Sequence, residues 1–96
     1  MDITFVQKGQ SFNGKVGYEV EFTADNSFNL HIERNGGGKF LVYQKSIQYG
    51  EYDVVDGIAM DHKDVIDFFV QVPLAPMYVK IVSETEVTRG VVIFAE

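Results

Sequence analysis

The sequence predicts an all-β protein, an antiparallel sandwich of two sheets with about seven to eight strands. Three observations predict it. Apolar and polar residues alternate with period two through 16–24 (VGYEVEFTA) and 28–34 (FNLHIER), the pattern of strands with one wet face. Turn signals, Asn13-Gly14, Asp25-Asn26-Ser27 and Asn35-Gly36-Gly37-Gly38, recur between the β-prone runs. A helical period is nowhere sustained. The best helical candidate, Asp61 to Phe69, is short, and its second half also fits a strand. Parallel sheets need crossovers of a dozen or more residues, for which there is no room. The expected organisation is an N-terminal arm or edge strand over 1–12 and a single β-sandwich domain over 13–96, Ig-like or jelly-roll-like.

In chain order, 3–8 (ITFVQK) is a short β-prone run broken by Gly9, Gln10 and Ser11, suited to an edge strand or to an arm reaching a neighbour. Asn13-Gly14 marks a turn because both residues tolerate positive φ. In 16–24, Val16, Tyr18, Val20, Phe22 and Ala24 point to the core. In 28–34, Phe28, Leu30 and Ile32 do so, leaving Asn29, His31 and Glu33 wet. A three-residue loop at 25–27 would pair these two strands as Ala24–Phe28, Phe22–Leu30 and Val20–Ile32, with Glu21 opposite His31. The alternative places them in different sheets. After the glycine turn, 39–44 (KFLVYQ) is a strand apolar on both faces, with Phe40 and Val42 opposed to Leu41 and Tyr43. A loop or strand end over 45–50 leads to a short strand at 51–55. Asp56 to Asp64 is the longest irregular stretch. In 65–72, Ile66, Phe68, Val70 and Val72 face inward and Phe69 outward, and Pro73 and Pro76 bracket a loop.

The C-terminal end, Met77 to Phe94, reads as a hairpin: MYVKIVS, a polar ETEVT, then RGVVIF. Setting Ser83 opposite Arg89 pairs Val79 with Ile93 on one face and Tyr78 with Phe94 and Lys80 with Val92 on the other. Both faces are apolar over much of their length, so the second face requires a cover from this chain or another.

Composition narrows the function classes. Fourteen Asp and Glu against eight Lys and Arg give a formal charge of −6. That balance disfavours nucleic acid and anionic membrane, whose recognition depends on Lys and Arg. There is no cysteine, so neither a disulfide framework nor a thiolate metal site can form. No apolar run nears the ~20 residues of a membrane span, and no basic-then-apolar leader opens the sequence.

Three constellations invite a chemical reading, each beside a plainer one. Asp56, Asp61, His62, Asp64 and Asp67 form the densest set of candidate ligands, suited to calcium or, through His62, to zinc or manganese. Their spacing matches no calcium loop of the helix-loop-helix type, with no bidentate Glu at the needed offset, and a solvated acidic loop accounts for them. Asn35 to Lys39 resembles a phosphate cradle, but that chemistry needs a following helix N-terminus, and a β-prone run follows. His31 with Glu21 and Glu33 could be an acid/base set, yet a flat wet sheet face offers neither nucleophile nor pocket. No metal ligand, cofactor or catalytic residue is assigned, and the chain is expected not to be an enzyme.

The order of features in the sequence resembles small β-sandwich modules of tailed-bacteriophage virions. The resemblance lies in SFNLHIER (27–34), the glycine turn (36–38), a strand ending near GEYD (39–53), DFFVQVPL (67–74), P-x-Y-V-K-I (76–81) and GVVIF (90–94), and it spans residues 16–96. The loop at Asp56–Asp64 is longer than in such modules. The resemblance implies a non-enzymatic role as a capsid auxiliary, decoration or fibre-base subunit. The virion, made in the bacterial host cytoplasm, is then its location. The major capsid protein, other virion subunits or further copies of the chain are then its partners, with neither nucleic acid nor membrane among them. Surplus apolar residues supply the contacts: Ile3, Phe5 and Val6 on the arm, and Phe69, Tyr78, Val92 and Phe94 on sheet faces. A small ligand- or carbohydrate-binding sandwich, assisted by calcium at the acidic loop, is the alternative.

Overall fold

The computed structural model describes residues 1–12, 14–46, 51–60 and 64–95. They form nine strands: β1 Asp2–Ile3, β2 Val6–Phe12, β3 Lys15–Ala24, β4 Phe28–Arg34, β5 Gly38–Ser46, β6 Asp53–Met60, β7 Val65–Val70, β8 Met77–Ser83 and β9 Val87–Phe94. All pairings are antiparallel. Two sheets pack face to face, one of four strands in the order β1-β9-β4-β7 and one of five in the order β2-β3-β8-β5-β6. This is the predicted all-β sandwich. The strand count exceeds the expectation because the run at 3–8 divides at Thr4-Phe5 between the two sheets, as β1 and the start of β2.

The predicted inward faces meet in one core. Phe28, Leu30 and Ile32 of β4, Phe40 and Val42 of β5, and Val79 and Ile81 of β8 are all buried. Phe28 sits where the sheets join, edge-on to Phe22 of the five-stranded sheet at 5.5 Å and to Phe94 of its own at 5.9 Å between ring centroids. Val16 departs from its strand's pattern and is exposed, because the start of β3 extends past β8 to pair with β2 alone.

The C-terminal hairpin is not present. β8 runs between β3 and β5, whereas β9 runs between β1 and β4 in the opposite sheet. The residues at 84–86 cross between the sheets instead of reversing within one. The two-faced apolar character of β8 reflects its central place. Val82, on the outer face, is buried beside Glu19 and Leu41, its register partners on either side. Likewise β3 and β4 belong to different sheets, so the three-residue-loop hairpin gives way to its alternative and Glu21 does not face His31. Among the described residues, β2–β3 and β5–β6 are the only consecutive strands that pair. The stretch expected to be irregular from Asp56 is strand as far as Met60, continuing β6 along β5.

Crossings between sheets must satisfy their own backbone groups, and two of them do so jointly. The 35–37 turn and the 84–86 turn lie side by side. Asn35 N–H donates to Glu86 O, and the Thr85 hydroxyl lies 3.1 and 3.0 Å from the carbonyls of Gly36 and Gly37. Gly36 and Gly38 have φ of 109° and 97°, a conformation that favours glycine. Arg34, 4% exposed, reaches from β4 beneath both turns. Its Nη2 donates to Gly38 O at 2.9 Å and its Nη1 to Lys39 O and Ser83 Oγ, each at 3.2 Å.

Candidate functional site: two sheet faces

With the core filled, the chemistry that can meet a partner lies on the two outward faces. Register fixes the layout of the four-stranded one. Asn29 of β4 stands between Phe69 of β7 and Ile93 of β9. One step along, His31 stands between Asp67 and Val91, and Glu33 then stands between Val65 and Arg89. The apolar members at the edges of this patch are open to solvent: Phe69 is 53%, Ile93 59% and Val65 48% exposed. The middle is polar. His31 Nδ1 lies 2.5 Å from Asp67 Oδ1, and His31 Nε2 2.8 Å from Glu33 Oε2. Arg89 approaches the same Glu33 oxygen at 3.9 Å. The hydrogen bonds to Glu33 and then Asp67 raise the imidazole's pKa above its ordinary 6.5. Asn29, His31, Asp67 and Ile93 line a shallow open depression.

The outward face of the five-stranded sheet is a mesh of tyrosine and lysine. Lys80 Nζ lies 4.8 Å from the ring centres of both Tyr43 and Tyr52, and Lys45 Nζ lies 4.8 Å from Tyr52 and 5.4 Å from Tyr78. Each ammonium thus sits against two aromatic faces, a geometry worth about 0.5–1 kcal/mol per contact at exposed sites. Desolvation, with Glu21 and Tyr78 adding to it, raises the Tyr52 hydroxyl above its ordinary pKa of 10.0, so the ring stays neutral across physiological pH.

The residues expected to bind partners are distributed unevenly between these surfaces. Phe69 is on the four-stranded face and Tyr78 on the five-stranded face, so the two lie on opposite sides of the sandwich. Val92 is fully buried in the core, and Phe94 points inward against Phe28. Their outward placement followed from the hairpin register and falls with it. The N-terminal segment is held within the chain. The Met1 ammonium donates to Val92 O at 2.8 Å, β1 pairs with β9, and Ile3 is buried against Gly90. Phe5 packs on the core, while Val6 is 57% exposed on the edge strand β2. Ile93 and Val65 are not among the expected contacts: the hairpin register sets Ile93 opposite Val79, and Val65 shares the outward parity of Asp67 and Phe69, a signal present in the alternation of the run.

The other constellations separate. Asp67 belongs to the His31 cluster, and Asp64 is exposed and accepts Arg34 N–H through its backbone carbonyl. Asp61 and His62 lie outside the described residues. Among the described residues, no group of three His, Asp or Glu side chains is placed to hold a metal ion. The Asn35–Gly38 stretch is a crossing turn leading into β5, not the start of a helix. Comparison with protein-family models, with curated proteins and with solved structures gives no match.

Proposed function

We propose that this chain is a non-enzymatic structural subunit that binds neighbouring protein subunits through the outer face of its four-stranded sheet. The observation that carries this reading is the row Phe69–Asn29–Ile93, with two large apolar side chains more than half exposed. Burial of such side chains stabilises by roughly 1.5–3 kcal/mol each relative to full exposure. Apolar anchors beside a charged cluster have the composition of an interface whose anchors supply affinity and whose charges set register. The resemblance of residues 16–96 to virion β-sandwich modules favours a tailed-phage particle as the setting and a capsid auxiliary or decoration role. The major capsid protein or another virion subunit is then the partner. The charge of −6 suits an outer capsid surface better than one lining packaged DNA.

Co-sedimentation of the purified protein with capsids of the phage that encodes it tests the reading. The wild type is retained. The double variant Phe69→Ser, Ile93→Ser keeps its melting temperature but binds about thirtyfold more weakly, from ~1 kcal/mol lost per half-exposed anchor. Equal retention of the two proteins, or no retention of the wild type, sinks it.

One observation favours a second reading. Tyr43, Tyr52 and Tyr78 form an aromatic platform on the opposite face, and such rings stack on sugars. A carbohydrate-binding module would show tyrosine ring shifts on titration with neutral oligosaccharides. Unmoved ring resonances at millimolar sugar rule it out.

A further inference from the structure

His31 occupies the middle of the face assigned above to docking, and its contacts fix its protonation state by geometry. A neutral imidazole has one N–H and one lone pair. It can donate to one carboxylate oxygen only while aiming its lone pair at the other. Here both ring nitrogens lie within hydrogen-bond distance of separate carboxylates, Asp67 at 2.5 Å and Glu33 at 2.8 Å. Glu33 and Asp67 thus offer acceptor oxygens on either side of the ring. The arrangement is therefore that of an imidazolium donating twice, with both bonds charge-assisted. The neighbouring charges agree. On β9, Val91 lies directly opposite His31 and Arg89 shares Glu33. On β1, Asp2 lies beyond Val91 in register. Glu33 and Asp67 flank the imidazole while Arg89 approaches Glu33 alone, a local negative excess that favours the imidazole's second proton.

Asp67 belongs to β7, an edge strand that among the described residues pairs with β4 alone and carries Phe69 and Val65 of the docking face. The His31–Asp67 contact is thus a side-chain tie, 36 residues apart in sequence, between the edge strand and the strand inside it. We propose that His31 is a proton-operated clamp that holds β7 against β4, so that the docking face is firm while the imidazole is charged and loosens once it is neutral. The regulatory consequence rests on the docking reading; the clamp itself does not.

The direction follows from linkage. A group whose pKa is raised in the folded state contributes all its stabilisation below its unperturbed value, here 6.5, and loses it as pH rises through the raised value. Losing the proton leaves one N–H for two carboxylates, so the tie to Asp67 loses its charge assistance and competes with Glu33 for the remaining donor. The window therefore lies above pH 6.5, up through the raised value.

Amide hydrogen exchange of the full chain between about pH 6 and pH 9, corrected for intrinsic rates, tests this beside an NMR titration of the His31 ring protons. In the wild type, protection of the β7 amides falls as the ring titrates, while the β4–β9 ladder keeps its protection. The fall reflects only the part of the raised pKa that Asp67 contributes, because the Glu33 bond lies within β4 and survives the opening of β7. His31→Gln, neutral and of similar reach, has low β7 protection that does not change with pH. A wild type whose β7 protection is flat, or changes as much as in His31→Gln, overturns the clamp. Capsid retention at the two ends of the range separates the readings. Retention lost at the alkaline end in the wild type alone is expected. Retention absent at both ends, with β7 still following the ring, overturns the docking assignment and not the clamp.

Discussion

Arg34 offers the sharpest check on how the sandwich is closed. Its guanidinium is almost wholly buried, yet its named partners are two carbonyls and a hydroxyl, from Gly38, Lys39 and Ser83. Those groups belong to β5 and β8, whereas Arg34 is on β4, so the side chain pins one sheet to the other below the paired turns. Burial pushes the guanidinium's pKa down, and the nearby Glu84 charge opposes that shift. Replacing a buried ion with an apolar residue is often neutral, provided nothing polar is stranded. Arg34→Met does strand something. Lys39 O keeps the Glu84 N–H at 2.9 Å and Ser83 Oγ keeps Thr85 O, but Gly38 O loses a charged donor. Hydrogen bonds to charged groups contribute about 1.5–3 kcal/mol each, and here one strong and two longer bonds are lost while an ion's desolvation is relieved. A net loss of about 3 kcal/mol follows, equivalent for a domain of this size to a fall in melting temperature of roughly 12–24 °C. Urea unfolding supplies the free energy, and amide exchange shows whether the loss is concentrated at 35–37 and 84–86. Arg34→Lys restores little, because one ammonium cannot reach three diverging oxygens. An Arg34→Met protein within 0.5 kcal/mol of the wild type, with both turns still protected, would refute the pinning role.

Further outcomes follow from single positions. Phe28→Ala removes the ring that touches aromatic partners in both sheets and costs about 3–5 kcal/mol by urea unfolding, whereas Phe28→Leu costs less than half of that. In Gly90→Ala the new methyl would stand 2.7 Å from Ile3 Cγ1 and 3.2 Å from its carbonyl oxygen, so β1 lifts and its amides lose exchange protection. Adding Ile3→Ala to that variant relieves the clash, and a double-mutant cycle shows a coupling of about 0.5–3 kcal/mol. Gln44 is 2% exposed; its Nε2 donates to Gln71 O, while its Oε1 has no partner among the described residues. Gln44→Met gives up one bond and removes one stranded acceptor, leaving stability within about 1 kcal/mol. Gln44→Glu buries a charge with no donor and lowers stability by several times that, more at pH 8 than at pH 4.

The difference between what the sequence disclosed and what it hid follows the geometry of strands. Side-chain direction alternates within a strand, so a local pattern assigns each residue to a face, and Phe28, Leu30, Ile32, Phe40, Val42 and Ile81 are all buried as their alternation requires. Arg34 obeys the same parity, four positions after Leu30. Its residue type argued the other way, and only the carbonyls waiting beneath the turns reconcile the two. Pairing is not local. The three residues at 84–86 are short enough for a hairpin and long enough to cross between sheets, and nothing within Met77–Phe94 distinguishes the cases. A hairpin register turns Val92 and Phe94 outward because it takes their faces from β8, a partner strand they do not have. The same rule explains why the His31 cluster is only half legible: Glu33, two residues away, is named from the sequence, but Asp67 arrives only through the β4–β7 ladder, and Glu21, the partner expected from adjacency, lies in the other sheet. A buried residue needs only the right face, because any apolar neighbour will serve. A polar cluster on an outer face needs particular neighbours across strands, and those are set by strand order. Core membership is therefore legible from one sequence where surface chemistry is not. The clamp at His31, built from cross-strand pairing, is the kind of feature that reading loses first.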